Sequence, residues 1–285
     1  MSFRIYALGA IALWATLASL GTVLQHVPPF FLTGAALMIG SLPALPLVLR
    51  DRSLWRVPPR TLALGVYGLF GFHFLLFIAL RTAPPVEANL VNYLWPLLMV
   101  LLAPVLLPGM RLRWFHVLAA LLGFAGAAIA ILGGRTVVGS GLSATGSAWS
   151  WGYLLALGSA FIWASYSLLT RRVSAFSTAA IGLFGLVSGL LALACHALLE
   201  PSVALSARDW LLLTLMGLGP LGAAFYLWDK ALKLGDARQI GILSYATPVA
   251  STALLLLSTG RSFHWSIGVA AALIVSAAVL GARSK

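Results

Sequence analysis

The sequence predicts an all-α integral membrane protein, with ten transmembrane helices arranged as two inverted five-helix repeats around a central cavity. Three observations lead there. Of 285 residues, 61% are hydrophobic and only 8% charged, where about a quarter of a soluble domain's residues carry charge. The apolar residues fall into ten runs, each near the 20 or so residues that a helix needs to cross a bilayer. A pattern in the fourth run returns 152 residues later, in the ninth.

In order, the predicted spans are 4–24, 30–49, 61–80, 86–107, 114–133, 152–171, 178–199, 209–228, 239–258 and 264–282. Arg4 ahead of the first run imitates a signal peptide. No small-x-small cleavage pattern follows, and the run has a counterpart later, so it is read as a span. Connections are short and hold Pro, Gly and Arg. The longest, 134–151, is rich in Gly, Ser and Thr and divides the chain into a first half, 1–133, and a second, 152–285. Five spans per half is an odd number, so the second half inserts upside down relative to the first.

The net charge of +12 does not point to nucleic acid, because the basic residues sit in gaps between apolar runs. They orient the chain instead. Of 18 Lys and Arg, fourteen fall at the N-terminus, 50–60, 108–113, 171–177, 229–238 and the C-terminus, against Arg81, Arg135, Arg208 and Arg261 on the other side. Both termini are therefore expected in the cytoplasm. A single cysteine, Cys195, rules out an internal disulfide and a thiolate metal cluster. No cofactor or metal is expected.

The repeated pattern carries the chemistry. Asn89, Asn92, Tyr93 and Pro96 stand at i, i+3, i+4 and i+7, one face of a helix. Gly241, Ser244, Tyr245 and Pro248 repeat the spacing. Pro96 has no N–H to offer the Asn92 carbonyl, so a kink is expected there, and likewise at Pro248. Other pairs match: Trp14 with Trp163, Ala79-Leu80-Arg81 with Ala231-Leu232-Lys233, and Trp114 with Trp265. Inverted repeats of this kind place a transporter's site near the bilayer midplane.

These features together resemble the drug/metabolite transporter superfamily, EamA-type. The Asn92-Tyr93-Leu94-Trp95-Pro96 run, His73 and the Trp14/Trp163 pair resemble the bacterial aromatic amino acid exporters within it. The resemblance covers the whole chain. It implies export of amino acids, aromatic ones above all, from a bacterial inner membrane, with other flat or cationic compounds as the alternative cargo. One departure stands out. Many EamA-type chains hold a Gly-Glu pair near the ends of spans four and nine. Here those places read Pro108-Gly109-Met110 and Thr259-Gly260-Arg261, so the coupling role of that Glu does not carry over.

The candidate substrate-binding residues are Trp14, His73, Phe77, Asn89, Asn92, Tyr93, Trp95, Trp163, Tyr166, Ser244 and Tyr245. Trp usually anchors a span's end, but Trp14 and Trp163 lie about ten residues inside. An indole there suits stacking on a ring or a cation; the plain alternative is packing. His73 can contact substrate, hydrogen-bond inside the bundle, or titrate near neutral pH. Asn89 and Asn92 suit a zwitterion's groups or interhelical hydrogen bonds equally. Glu87 and Asp229 are read as solvated or paired with Arg81 and Lys233, so no carboxylate is assigned to coupling. Small residues of spans five and ten, such as Gly123, Gly126, Gly268 and Gly281, suit close helix contacts, in the scaffold or in a homodimer.

A membrane enzyme is the rival from another class. It would need a nucleophile with its base, or a metal site, and the five histidines show no ligand spacing. A passive channel is the other rival.

Overall fold

In the computed structural model the described residues are 2–138, 150–259 and 265–282. Most of the expected linker, 139–149, lies outside them, as does Gly260-Arg261 at the end of the ninth run. All regular structure among the described residues is helical. The first run is α1 (Phe3–Ala15) and α2 (Leu17–Val23); the second holds α3 (Pro29–Ser41) and α4 (Leu45–Arg50). The third is α5 (Pro59–Val66), a π-helical turn at Tyr67–Gly71, and α6 (Phe72–Thr82). The fourth is α7 (Pro85–Asn92) and α8 (Trp95–Leu106), and the fifth is α9 (Trp114–Val138). There follow α10 (Trp151–Leu169), α11 (Ala180–Leu199), and α12 (Ala207–Leu218) joined by a π-helical turn at Gly219–Ala223 to α13 (Ala224–Leu234). Last come α14 (Ala237–Ser244), α15 (Ala246–Thr259) and α16 (Trp265–Ala282). Among the described residues, eight runs, from Phe3–Val23 to Ala207–Leu234, are long and apolar enough to cross a membrane, and Trp265–Gly281 is a shorter apolar helix.

Local sequence explains the boundaries. Three helices of the first half begin at a Pro-Pro pair: Pro28-Pro29, Pro58-Pro59 and Pro84-Pro85. The second proline keeps the first in extended backbone, with ψ between 122° and 147°. It then opens the helix where an N–H would have no partner anyway. The second half uses side-chain caps instead. Ser150 caps α10, Ser206 and Asp209 form a reciprocal box on α12, and Asp236 caps α14.

The kinks of the fourth and ninth runs fall slightly earlier than the prolines suggest. The first break is at Tyr93-Leu94, the second at Tyr245. Pro96 and Pro248 sit in the first turn of the helix that resumes, where their missing N–H interrupts nothing.

Several elements match at a separation of 152 residues: the π-helical turns Tyr67–Gly71 and Gly219–Ala223, α6 and α13, and α7 and α14. A π turn adds one residue to the helix and turns the following face. Glycines let these turns pass neighbouring backbone. A Cβ on Gly40 of α3 would lie 2.7 Å from the Gly217 carbonyl oxygen and 2.8 Å from Gly222 Cα, so only glycine allows α3 to meet the second π turn.

Two ion pairs fasten the helices, at opposite ends of α11. Beyond its C-terminus, the Glu200 carboxylate is fully buried and takes the Arg81 guanidinium at 2.6 Å and His196 Nδ1 at 3.0 Å. It also accepts the backbone N–H groups of Phe30 and Phe31 at 3.0–3.1 Å, serving as an acidic cap on the first turn of α3. Before the N-terminus of α11, Lys233 Nζ donates to the Phe176 carbonyl at 2.9 Å and pairs with Asp229 at 2.6 Å. Asp229 also accepts from Thr178 Oγ1 at 2.6 Å. It is paired with Lys233, one of the two expected situations, but at 3% exposure it is not solvated.

Candidate substrate site in an aromatic core

Periodicity along five helices sends their rings to one place. On α13, Ala224, Phe225, Trp228, Ala231 and Leu232 form one buried face. On α10, Ser159, Trp163 and Tyr166 are buried together. α1 contributes Trp14 and α8 contributes Trp95, both below 9% exposed. Phe72 and His73 come from α6, directly after its π turn.

Trp163 is the centre of the group. Its ring centroid lies 5.8 Å from Trp14, 5.3 Å from Phe72, 5.4 Å from Tyr166, 5.6 Å from Phe225, 6.2 Å from Trp228 and 6.4 Å from Trp95. Most pairs are tilted or edge-on, the arrangement the ring quadrupoles favour. Buried indole N–H groups need acceptors, and two are met. Trp14 Nε1 donates to the Pro220 carbonyl at 3.1 Å, in the π turn, and Trp228 Nε1 donates to Ser167 Oγ at 3.2 Å. The π turn therefore fixes the Trp14 ring as well as the direction of α13. Tyr67 and Ser165 hydroxyls pair at 2.9 Å beside the cluster.

His73 lies at the edge of this cluster, 6.3 Å from Phe225, and its Nδ1 donates to the Leu69 carbonyl at 2.6 Å. Asn92 is buried and its Oδ1 accepts from Ser159 Oγ at 2.8 Å, joining α7 to α10. Thus Trp14, His73, Trp95, Trp163 and Tyr166 come together, with Asn92 tied to the same helix, α10.

Most of the other candidates lie elsewhere. Tyr245 is fully buried, but it fills a lateral cluster with Ala127 and Ile274, between α9 and α16. Its ring occupies the place a side chain on Gly123 would need. Ser244 Oγ bonds to the Gly241 carbonyl of its own helix at 2.5 Å. Tyr93 and Asn89 are half-buried at the α7 break. Phe77 lies at the margin of the cluster: its ring is 5.8 Å from His73 and 5.9 Å from Phe30, on the side where Arg81 lies 5.8 Å from the Phe30 centroid. Pro96 and Pro248 are both buried, and the Pro96 carbonyl packs where α14 crosses α8 at Gly241.

Sequence reasoning missed Phe225 and Trp228. The apolar face they share on α13 was readable at helical spacing. Trp228 lies near the end of its span, where an interfacial anchor is the commoner meaning of Trp.

The small residues of α9 serve the scaffold. Gly126 packs on Ala270 and Ile274 of α16, and Ala127 and Ala130 are fully buried.

A bundle of membrane-length helices packed around a ring-lined, hydrogen-bonded core defines a multi-pass membrane protein. The chain belongs to the EamA-like transporter family, whose model matches residues 2–132 and again 150–282. It is 42% identical over 274 residues to the protein named aromatic amino acid exporter YddG from Ancylobacter novellus, covering 95% of this chain and 93% of that one. A protein of the same name from Salmonella typhimurium is 33% identical over 267 residues, covering 90% of this chain and 89% of the relative. A solved crystal structure superposes with a TM-score of 0.87 at 40% identity, covering 98% of this chain and 96% of the other.

Proposed function

We propose that this transporter exports amino acids, aromatic ones above all, by alternating access across a bacterial inner membrane. The observation that carries the reading is the joint origin of the ring cluster. Trp14 and Trp163 hold matched places in the two halves of the chain and lie 5.8 Å apart; so do His73 and Phe225, at 6.3 Å. Residues matched by a two-fold relation meet where the axis passes, which is also where a transporter's site belongs. The names of the relatives support the substrate class.

The architecture of the proposal is ten spans in two inverted halves, 1–133 and 152–285, with both termini cytoplasmic. Support comes from the family model, which matches twice. It comes also from the basic ends of α6 and α13. Arg81 and Lys233 are matched residues, each beside a ring, Phe30 at 5.8 Å and Phe176 at 4.1 Å. They dock at opposite ends of α11, whose 20 residues span roughly 30 Å. A homodimer through α9 and α16 would have to use the faces left over from their mutual packing.

In the proposed site the substrate's ring inserts among Trp14, Trp95, Trp163 and Tyr166, joined by Phe225 and Trp228. His73, Asn89 and Asn92 serve its ammonium and carboxylate. Tyr93, Ser244, Tyr245, Pro96 and Pro248 mark the helix breaks about which the halves rock, and Phe77 lies on the path toward Arg81. The buried carboxylate beside the rings, Asp229, is paired with Lys233, so facilitated movement down the amino acid gradient is the mechanism proposed.

Proteoliposomes with labelled amino acids test this. Phe, Tyr and Trp should enter faster than Ala, and preloaded substrate should accelerate uptake of label. His73→Gln should keep the gradient-driven flux. Uptake against a gradient driven by pH alone, and lost in His73→Gln, would overturn the energy assignment. Flux without counterflow would make the protein a pore.

A further inference from the structure

The loop before α9 builds a cavity that the transport reading does not use. It has a volume of about 260 Å³ and is lined by residues 109–111, Arg113, Phe115, His116 and Arg238. One water needs about 10–15 Å³ on such a measure, so a tetrahedral anion fits with its hydration. We propose that this cavity binds a phosphate group, supplied by the headgroup of an acidic phospholipid.

Charge is the first argument. Three arginines line the cavity, Arg111, Arg113 and Arg238, and the carboxylate paired with one of them, Arg238, is Asp236. Arg238 is consumed by it, with Nη2 at 2.5 Å and Nε at 3.1 Å from its oxygens. The salt bridges among the described residues include neither Arg111 nor Arg113. Two cations are thus left to meet an anion, and arginine is the residue that matches phosphate geometry.

The loop is also held in shape. Arg238 Nη1 donates to the Arg111 carbonyl at 2.6 Å, fastening the loop to α14. Gly109 turns the chain with φ +82°, a left-handed conformation that glycine adopts without strain.

The positive end of the long helix α9, which begins at Trp114, is the third argument and adds to the same field.

Depth selects the source. The cavity opens at the start of a membrane-length helix, beside Trp114 and Leu112, which are 74% and 38% exposed. Tryptophan so placed belongs at headgroup level, where the lipid phosphates lie.

The test uses the full chain purified in detergent. Native mass spectrometry would measure retention of phosphatidylglycerol against phosphatidylcholine, with thermal unfolding read alongside. The wild type should retain phosphatidylglycerol preferentially and melt higher with it. Arg111→Gln/Arg113→Gln should weaken retention at least about tenfold, since each basic side chain near an anionic surface counts severalfold. The Lys/Lys double variant, which keeps the charge, guards against simple misfolding and should retain most of the lipid. Arg50→Gln/Arg52→Gln removes the same charge elsewhere and should change little. If inorganic phosphate alone gives the same Arg-dependent shift, the site stands and its ligand is the free anion. Equal lipid retention in the Gln variants, or equal loss in Arg50→Gln/Arg52→Gln, overturns the proposal.

Discussion

Replacing Trp163 tests the aromatic core most directly, because it removes the ring that six others touch. Two effects must be separated. The first is stability: truncating a buried Trp to Ala costs about 3–5 kcal/mol in soluble cores. The second is recognition. Each ring pair contributes roughly 0.5–1.5 kcal/mol beyond area burial, so losing two substrate contacts weakens an aromatic cargo by about ten- to a hundredfold. An alanine-sized cargo has no ring and loses little of this. Trp163→Ala is therefore expected to depress Phe transport far more than Ala transport. Trp163→Phe keeps a ring and should recover most of both stability and selectivity. The assay is counterflow in proteoliposomes with both cargoes, on protein whose monodispersity has been checked by size exclusion. Equal losses for Phe and Ala transport in a well-folded Trp163→Ala would show that the ring supports the bundle and does not select cargo.

Further outcomes follow from the same structure. Reporter fusions at Lys285 and within 136–148 should report opposite sides of the membrane; a common side would sink the ten-span arrangement. Pro96→Ala and Pro248→Ala supply an N–H that can bond the Asn92 or Ser244 carbonyl and close the break; both should insert normally yet lose transport, and full activity in both would detach the prolines from the mechanism. Glu200→Gln should destabilise the protein by about 1–3 kcal/mol, because the buried carboxylate's bonds to Phe30, Phe31 and His196 are weakened, while the exposed Arg81 loses only a screened partner; an unchanged melting temperature in detergent would contradict this. Asp236 lies between spans: burial pushes its carboxyl up, but the Arg238 hydrogen bonds and charge together hold it below the ordinary carboxylate value. A depressed value means stability that is complete above the ordinary carboxylate range and lost as pH falls below it. Asp236→Asn should thus lower the melting temperature at pH 7 and converge on the wild type in strong acid, and a pH-independent difference would refute the charge argument.

How much of this was legible in the sequence depends on which force sets each feature. Span positions follow from transfer of side chains into lipid, which composition records directly. The Pro-Pro helix starts at Pro28, Pro58 and Pro84 were equally readable, since proline's geometry is its own. The π turns were not. Nothing in Tyr67–Gly71 or Gly219–Ala223 announces an extra residue per turn except their glycines, and glycine has many uses. Those turns decide where α6 and α13 point, so Phe225 and Trp228 could not be assigned to the centre from spacing alone.

Tyr245 shows the limit of arguing by symmetry. Its spacing to Pro248 copies that of Tyr93 to Pro96, yet its ring fills a lateral cleft against Gly123. Tyr93 and Tyr245 each end a helix at matching places; their surroundings differ wherever neighbours differ in size. Gly123 leaves room for a ring between α9 and α16, and that space captures Tyr245. The pairs that do meet, Trp14 with Trp163 and His73 with Phe225, come together across the core without such a competing cleft. Their equivalence therefore survives as contact, while that of the two tyrosines survives only as a matching break in the helix.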